Sequence, residues 1–256
     1  MCKYEQIDRA GLWNGRLLVF ESLPSTNQWV LDNIGQCIHG DVVLARLQTK
    51  GRGRFGRTWH SVPGRSLTLS AALLPPPDAQ PVTPSACRAA ALAVADTLAN
   101  HGIEAKVKWP NDVLVDGRKI AGILAEAEPA AGATALGIGL NVNTDDSDFE
   151  GLDLMHPATS MTAATGKTFD TLDICRALVE RLQTALDGAQ RDPAWLINEW
   201  RPRDFLAGKR ITVAAAAGAV TGRYSGLDSD GRLLLTDGDG TAHVLLSGDV
   251  SVDIPG

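Results

Sequence analysis

The chain has 256 residues, of which 44% are hydrophobic and 21% are charged, and its formal net charge is −6. This length is enough for one large domain, or for one domain with a small appendage, each with a buried core. The composition is typical of a soluble globular protein. The negative net charge argues against a general nucleic-acid-binding protein, because such proteins carry a basic face over much of the domain.

The N-terminal segment MCKYEQIDRAGLW has no apolar stretch of signal-peptide length, and no segment approaches the roughly 20 apolar residues needed to span a bilayer. We therefore expect a cytoplasmic protein without a membrane segment. The cysteines are far apart and form no C-x-x-C pair, which argues against a zinc site or a disulfide framework and predicts unpaired thiols. They are Cys2, Cys37, Cys87 and Cys175. The histidines show no spacing typical of metal ligands. They are His39, His60, His101, His156 and His243.

The first predicted elements are a strand, a loop and a helix in GRLLVFESLPSTNQWVLDNI, where Ser25 or Thr26 can cap the helix. The segment DVVLARLQ predicts a buried strand. A longer helix is indicated by VTPSACRAAALAVADTLANHGI, where Thr83 can cap, Pro84 suits the first helical position and Gly102 follows the end.

The segment QTKGRGRFGRTWHS follows the predicted strand in DVVLARLQ. Its glycines at 51, 53 and 56 fit the G-x-G-x-x-G pattern of dinucleotide sites. That interpretation requires a helix after the third glycine, but the following Pro63, Gly64 and SLTLSAALL favour a turn and a strand. Residues 50–59, which we call the arginine loop, carry four cations within eight residues, Lys50, Arg52, Arg54 and Arg57. Arginines interspersed with glycines suit an anion clamp. A solvated mobile loop and an RGG-like nucleic-acid segment are the alternatives.

In the second half of the chain, AKVKWPNDVLVDGRKIAGILAEAE contains Asp116-Gly117 between two apolar runs, which predicts a hairpin whose second strand starts at Lys119. ATALGIGLNVN predicts another strand, and TLDICRALVERLQTAL predicts a helix with one apolar face. From about Gly208 the pattern changes to short apolar runs separated by Gly-Asp turns, typical of a small all-β domain. We predict two domains, residues 1–207 and residues 208–256.

Five segments together resemble the biotin protein ligases, enzymes that attach biotin to a lysine of a biotin carboxyl carrier protein. They are STN at 25–27, QTKGRGRFGRTW at 48–59, KWPND at 108–112, GRKIAGIL at 117–124 and GIGLNVN at 137–143. The resemblance extends from about Arg16 to the C-terminal GLDSDGRLLL. It implies an α+β fold: a catalytic domain like those of class II aminoacyl-tRNA synthetases and biotin/lipoate ligases, with a mixed sheet flanked by helices, plus a small SH3-like β-barrel.

The resemblance also implies a two-step reaction. ATP and biotin give biotinyl-5′-adenylate and pyrophosphate, with Mg²⁺ as the metal, and a lysine of the carrier protein of acetyl-CoA carboxylase then accepts biotin. Family members that also repress the biotin operon carry an N-terminal winged helix, and the segment before Arg16 is too short for one. We therefore expect no DNA binding. The expected oligomeric state is a monomer or a homodimer.

The roles implied for individual residues form three groups. For biotin they are Ser25, Thr26, Asn27, Gln48, Gly51, Arg52, Gly53, Arg54, Trp59, Lys119 and Gly122. For ATP they are Arg54, Arg57, Asn111, Lys119 and Asn141, with Asp112 as the metal ligand. The expected catalytic groups are Lys119, Arg52 and Arg54, which bring positive charge to the reacting carboxylate and phosphate. Taken singly, several of these residues have ordinary structural explanations: a helix cap for Thr26, a core position for Trp59 and a turn for Pro-Asn-Asp.

One position departs from the family pattern. The family often ends in a segment like G-E-V-S-L-R, whereas this chain has GDVSVD with Asp253 at the arginine position. We therefore expect no cationic contact from the C-terminal domain to ATP. Two other functions stay open: a lipoate or octanoate ligase, which shares the catalytic fold, and a non-enzymatic nucleotide or nucleic-acid sensor that uses the basic loop.

Overall fold

An eight-stranded mixed sheet organises most of the chain. The structure is a computed structural model that describes residues 4–74, 83–152, 154, 156–215 and 218–252. Listed in spatial order, the strands are β1 (Tyr4–Ile7), β2 (Leu17–Phe20), β3 (Val42–Ala45), β4 (Ser66–Leu73), β8 (Ala133–Asn141), β7 (Arg118–Glu128), β6 (Asp112–Val115) and β5 (Lys106–Lys108). Strands β2 and β3 pair in parallel and all other neighbours pair antiparallel. This sheet provides the rigid strand ends on which the site is built.

Helices cover the sheet. They are α1 (Thr26–Asp32), α2 (Thr83–Ala99), α3 (Met161–Thr165), α4 (Thr171–Arg191) and α5 (Pro193–Trp200). Helix α2 packs against β7 and β8 and also against α4, whereas α1 packs against β3, β4 and β8. Consecutive side chains of a strand point to opposite faces, and Leu17 and Leu18 accordingly belong to two separate apolar clusters. All eight residues of the central strand β4 are buried, because both faces of the sheet are covered.

Local sequence signals place the turns and caps. Ser25 is the N-cap of α1 and its hydroxyl accepts a hydrogen bond from the Gln28 amide. Asp116 and Gly117 both have positive φ, 49° and 75°, as a two-residue type I′ hairpin requires. The predicted hairpin is therefore confirmed, although β7 begins at Arg118, one residue earlier than expected. Helix α2 begins at Thr83, whose side chain lies outside what the structure describes, so its capping role stays a prediction.

The C-terminal region is a five-stranded antiparallel sheet. Its strands are β9 (Arg210–Ala215), β10 (Gly218–Leu227), β11 (Leu233–Asp237), β12 (Ala242–Leu245) and β13 (Asp249–Val252), arranged in the order β12-β11-β10-β9-β13. The predicted fold class, a mixed sheet flanked by helices with a small β domain after it, is confirmed. The change to all-β structure falls between the 3-10 turn Arg201–Arg203 and β9, and the exact domain boundary stays a prediction.

Cys37, Cys87 and Cys175 are unpaired, as expected. Cys2 and Asp253 lie outside the described residues, so the expectations about them stay untested. In the part of the chain that the structure describes, no helix is long and apolar enough to cross a membrane.

Candidate active site

A cavity of about 430 Å³ opens between the arginine loop and strands β7 and β8. It brings together almost all the residues singled out in the sequence, although they are spread over more than a hundred positions. The lining includes Ser25, Thr26, Asn27, Gln48, Arg52, Gly53, Arg54, Arg57, Trp59, Asn111, Asp112, Lys119, Gly122 and Asn141. Gly51 is the predicted site residue that does not line this cavity.

One end of the cavity is a neutral polar floor at the start of α1. The Gln48 side-chain oxygen accepts hydrogen bonds from the Thr26 amide at 2.7 Å and from the Thr26 hydroxyl at 3.0 Å. The Ser70 hydroxyl lies 2.6 Å from both the Thr26 hydroxyl and Asn27 Oδ1. Thr26, Asn27 and Ser70 are at most 4% exposed. A buried floor of hydroxyl and amide groups suits a ligand with a neutral polar ring, whose hydrogen-bonding groups must be satisfied on burial.

Trp59 forms an apolar wall over the sheet. Its ring lies so close to two strands that a Cβ on Gly139 would stand 2.3 Å from the ring and a Cβ on Gly122 would stand 3.2 Å from it. Glycines at these positions therefore make room for the ring. A Cβ on Gly51 would lie 2.4 Å from the Trp59 carbonyl oxygen, and the Trp59 amide donates to the Gly51 carbonyl at 3.0 Å. Gly51 thus supports Trp59 from behind, and its predicted contact with biotin stays a prediction.

The arginine loop closes over this wall as a compact turn. The Gly53 amide donates to the Arg57 carbonyl at 2.7 Å, and a 3-10 turn spans Arg54–Gly56 with Gly56 at φ 74°. No α-helix follows the third glycine, because the next regular element is strand β4. The loop therefore lacks the geometry of a dinucleotide turn.

Each cation of the loop's inner part has a partner in another element. Arg52 pairs with Glu126 of β7 at 2.9 Å, and Arg57 forms an ion pair with Asp249 of β13. The Arg54 guanidinium donates to Asn111 Oδ1 and to the Gly248 carbonyl, both at 3.3 Å. Partial burial lowers the pKa of Arg54. A charge that is partly removed from water interacts more strongly with an anion.

The strand ends supply two further cations. Lys119 Nζ lies 2.5 Å from Asp112 Oδ1 and 6.0 Å from the centre of the Trp59 ring. Lys108, only 5% exposed, has its ammonium 2.9 Å from His156 Nε2. Burial lowers the pKa of both Lys108 and His156. With Arg54 and Arg57, these lysines outnumber the carboxylates at the end of the cavity away from the polar floor, which are Asp112 of β6 and Asp249 of β13.

Two carboxylates line the cavity, Asp112 and Asp249, and Asp112 is the candidate metal ligand. Among the described residues, no group of three or more His, Cys, Asp or Glu side chains could hold a metal ion alone. A single carboxylate is nevertheless compatible with Mg²⁺, which is usually bound by one or two carboxylates together with substrate phosphates and waters. Asp112 lines the cavity with its side chain 15% exposed, so the residues present fit a phosphate-bound Mg²⁺.

Sequence reasoning missed four polar residues of this region. Lys108 lies within the quoted KWPND segment, but nothing in its local pattern distinguishes a buried lysine. His156, Glu126 and Asp249 carry no spacing signal, since their contacts join residues 48, 74 and 192 positions apart. Only the folded sheet brings these pairs together.

Comparison with known proteins identifies the family. Residues 19–143 match the model of the "Biotin/lipoate A/B protein ligase family", and residues 207–253 match "Biotin protein ligase C terminal domain". A relative from Mycobacterium tuberculosis, named biotin--[acetyl-CoA-carboxylase] ligase, is 33% identical over 254 residues, covering 96% of this chain and 92% of the relative. The bifunctional ligase/repressor BirA of Bacillus subtilis is 30% identical over 243 residues, covering 90% of this chain and 72% of the relative.

Among solved structures, biotin protein ligase from Aquifex aeolicus in complex with biotin and ATP is similar to this chain with a TM-score of 0.80 and 26% identity. The match covers 93% of this chain and 98% of that protein. With both family models matched in chain order, and a relative aligned over nearly its whole length, this chain belongs to the biotin protein ligase family.

Proposed function

We propose that this chain makes biotinyl-5′-adenylate from biotin and ATP, and then transfers biotin to a lysine of a biotin carboxyl carrier protein. The observation that carries the proposal is that one cavity combines a neutral polar floor, an apolar tryptophan wall and a cationic end. These are the environments that a ureido ring, an apolar bicycle with its aliphatic chain, and a triphosphate require. Membership of the family and the names of its relatives support the same conclusion.

In the first step, a carboxylate oxygen of biotin attacks the α-phosphorus of ATP, and the bond to pyrophosphate breaks. Two anions must approach each other, so the site has to offset their repulsion before the bond can form. Lys119, Arg52 and Arg54 supply positive charge along the cavity. Mg²⁺, when bound with the phosphates at Asp112, would neutralise the charge that develops on pyrophosphate.

In the second step, the carrier amine attacks the acyl carbon of the adenylate. A carbon–nitrogen bond forms, the carbon–oxygen bond to AMP breaks, and the amine loses a proton. A mixed anhydride hydrolyses if water reaches it, so the enzyme has to retain and cover it until the carrier arrives. The arginine loop suits this task, because its ion pairs with Glu126 and Asp249 hold it over the cavity.

The C-terminal sheet contributes an anion to the cavity, since Asp249 of β13 pairs with Arg57 of the arginine loop. A cationic contact from this sheet to ATP was not expected from the sequence, and Asp253 lies outside the described residues. We assign the sheet the role of holding the arginine loop through β13.

The test is incubation of the full chain with ATP, Mg²⁺, biotin and a biotin carboxyl carrier domain, followed by detection of covalent biotin. Lipoate in place of biotin distinguishes the related ligases, and a rise in melting temperature with biotin but not with lipoate is expected. Labelling of the carrier by lipoate but not by biotin would reassign the chain to the lipoate ligases. Nucleotide binding without biotin-dependent pyrophosphate release would indicate a sensor.

A further inference from the structure

Glu126 lies at the junction of the polar floor and the arginine loop. A single carboxylate oxygen, Oε2, accepts hydrogen bonds from Asn27 Nδ2 at 2.8 Å and from the Arg52 guanidinium at 2.9 Å. The side chain is 27% exposed, and it lines a second depression, of about 360 Å³, on the outer side of the loop. The sequence motifs give this residue no role, and the proposed function uses only its ion pair with Arg52.

The contacts of Asn27 show why this oxygen matters. Both hydrogens of the Asn27 amide are used, because Nδ2 also donates to the Leu124 carbonyl at 3.0 Å. With its nitrogen facing two acceptors, the amide cannot turn over, so Oδ1 must face Ser70 and the polar floor. A carboxylate and a carbonyl can only accept hydrogen bonds, so Glu126 and Leu124 together fix which atom of Asn27 is presented as an acceptor.

The other contact concerns the base of the loop. Arg52 and Thr58 form a β-bridge that closes the loop, so the Arg52 ion pair fastens this base to strand β7. A partly exposed ion pair contributes little on its own. Here it shares its oxygen with a buried amide, so Glu126 joins Asn27 of the polar floor directly to Arg52 of the loop.

We propose that Glu126 is a positioning residue that couples the Asn27 amide of the polar floor to the arginine loop. The inference rests on the proposed function, in which the floor holds the biotin ring and the loop retains the adenylate. Loss of the carboxylate then has two separable consequences. An Asn27 amide that keeps only its Leu124 contact at the nitrogen is held less firmly and binds biotin more weakly, whereas an unfastened loop releases the adenylate sooner.

Two substitutions separate these consequences. Glu126→Gln keeps an oxygen that can accept from Asn27 but loses the charge that pairs with Arg52. Glu126→Ala loses both contacts. Glu128→Gln is the matched control, because Glu128 lies two residues further along β7 and its carboxylate accepts from the Ala130 amide, away from the cavity.

The measurements are KM for biotin and kcat in pyrophosphate release, and the dissociation rate of preformed biotinyl-adenylate. For Glu126→Ala we expect KM for biotin to rise about 5- to 100-fold, the range that a lost partner of a buried polar group produces, with kcat changed far less. For Glu126→Gln we expect faster adenylate dissociation with a KM close to that of the parent. The melting temperature without ligand shows whether each variant is folded. Calorimetry shows whether its affinity for biotin has changed.

The proposal also predicts non-additivity. In the double variant Arg52→Gln/Glu126→Gln, the adenylate should dissociate no faster than in the faster single variant, because both substitutions break one interaction. Independent, multiplying effects would overturn the coupling, as would parental KM and dissociation rate in folded Glu126→Ala. An inactive parent protein would instead refute the proposed function, so the two failures are distinguishable.

Discussion

Lys119 lines the cavity on a rigid strand. It lies on β7, two positions after the hairpin turn, and its ammonium is held between the Asp112 carboxylate and the face of Trp59. The backbone of this residue is fixed as well, since its amide donates to the Pro157 carbonyl and its carbonyl accepts from the Thr159 amide. A charge held by a rigid strand needs little reorganisation when the phosphate and carboxylate meet.

We therefore expect Lys119→Met to lower the rate of biotin-dependent pyrophosphate release by about 10²–10³-fold, the usual cost of losing one electrostatic donor to a transition state. Methionine retains the apolar part of the side chain, so the fold should persist. The control is Lys106→Met, a lysine on β5 that pairs with Glu104 and does not line the cavity. A folded Lys119→Met variant with parental activity would contradict this placement.

His156 provides a pH-dependent contribution to stability. Burial, together with the nearby charge of Lys108, lowers its pKa below the ordinary 6.5. The folded state therefore binds this proton more weakly than the unfolded state, and stability is lost as pH falls through 6.5 towards the folded pKa. Protonation also removes the acceptor for the Lys108 ammonium.

We expect the free energy of unfolding to fall between about pH 7.5 and 5.5, and to fall less in His156→Gln. Part of the slope should remain in this variant, because burial also lowers the pKa of His39. Urea denaturation at several pH values measures both slopes. Equal slopes in the parent and in His156→Gln would show that this histidine does not contribute.

At the scale of elements, the sequence predicts what depends on neighbours along the chain. The Asp116-Gly117 hairpin, the Ser25 cap and the strand after the arginine loop follow from residues within a few positions of each other. The resemblance to the family supplied the cavity residues beyond that range. Neither source supplied the Arg57–Asp249 pair or the Glu126 junction, because these contacts depend on strand order and on the docking of the second sheet.

The arginine loop itself is the element with the sharpest functional prediction. Arg54 links the loop to Asn111, in the turn between β5 and β6, and to Gly248 beside β13. Replacing it with glycine removes both hydrogen bonds and adds a further flexible residue between Gly53 and Phe55. Loop closure should weaken more than the chemistry of adenylate formation.

We expect Arg54→Gly to keep part of its pyrophosphate release while its adenylate dissociates faster and labels unrelated lysines. The measurement is covalent biotin on a bystander protein rich in lysine, with Arg54→Lys as the control that keeps the charge without the planar fork. Labelling should decrease in the order Gly, Lys, parent. A Gly variant that releases pyrophosphate without labelling the bystander above the parental level would show that the loop does not retain the intermediate.

At the scale of the whole molecule, the two sheets meet directly behind the KWPND segment. The Trp109 indole nitrogen donates to the Gly231 carbonyl at 3.1 Å, and the segment that leads into the second sheet is fixed by the Phe205 amide, which donates to the Val107 carbonyl at 2.9 Å. The turn that contains Gly231 rests on Arg88 of α2, with no room for a side chain, since a Cβ would stand 2.0 Å from the guanidinium. Residues that line the cavity follow directly after Trp109. We therefore expect the position of the C-terminal sheet to influence the geometry of the nucleotide end of the site.

Gly231→Ala tests this connection. Gly231 has φ 76°, which is strained for alanine, and Arg88 is only 7% exposed and has little space to move. We expect a loss of about 1–3 kcal/mol in unfolding free energy, as overpacking typically causes. We also expect KM for ATP to rise more than KM for biotin, because the displaced turn pulls on Trp109 and not on the polar floor.

Gly238→Ala is the matched control in the same β domain, since a Cβ there meets nothing within 4 Å and its backbone is not left-handed. Urea denaturation and steady-state kinetics of both variants give the answer. Parental stability in Gly231→Ala, or equal changes in the two KM values, would show that the second sheet does not position the nucleotide end of the cavity.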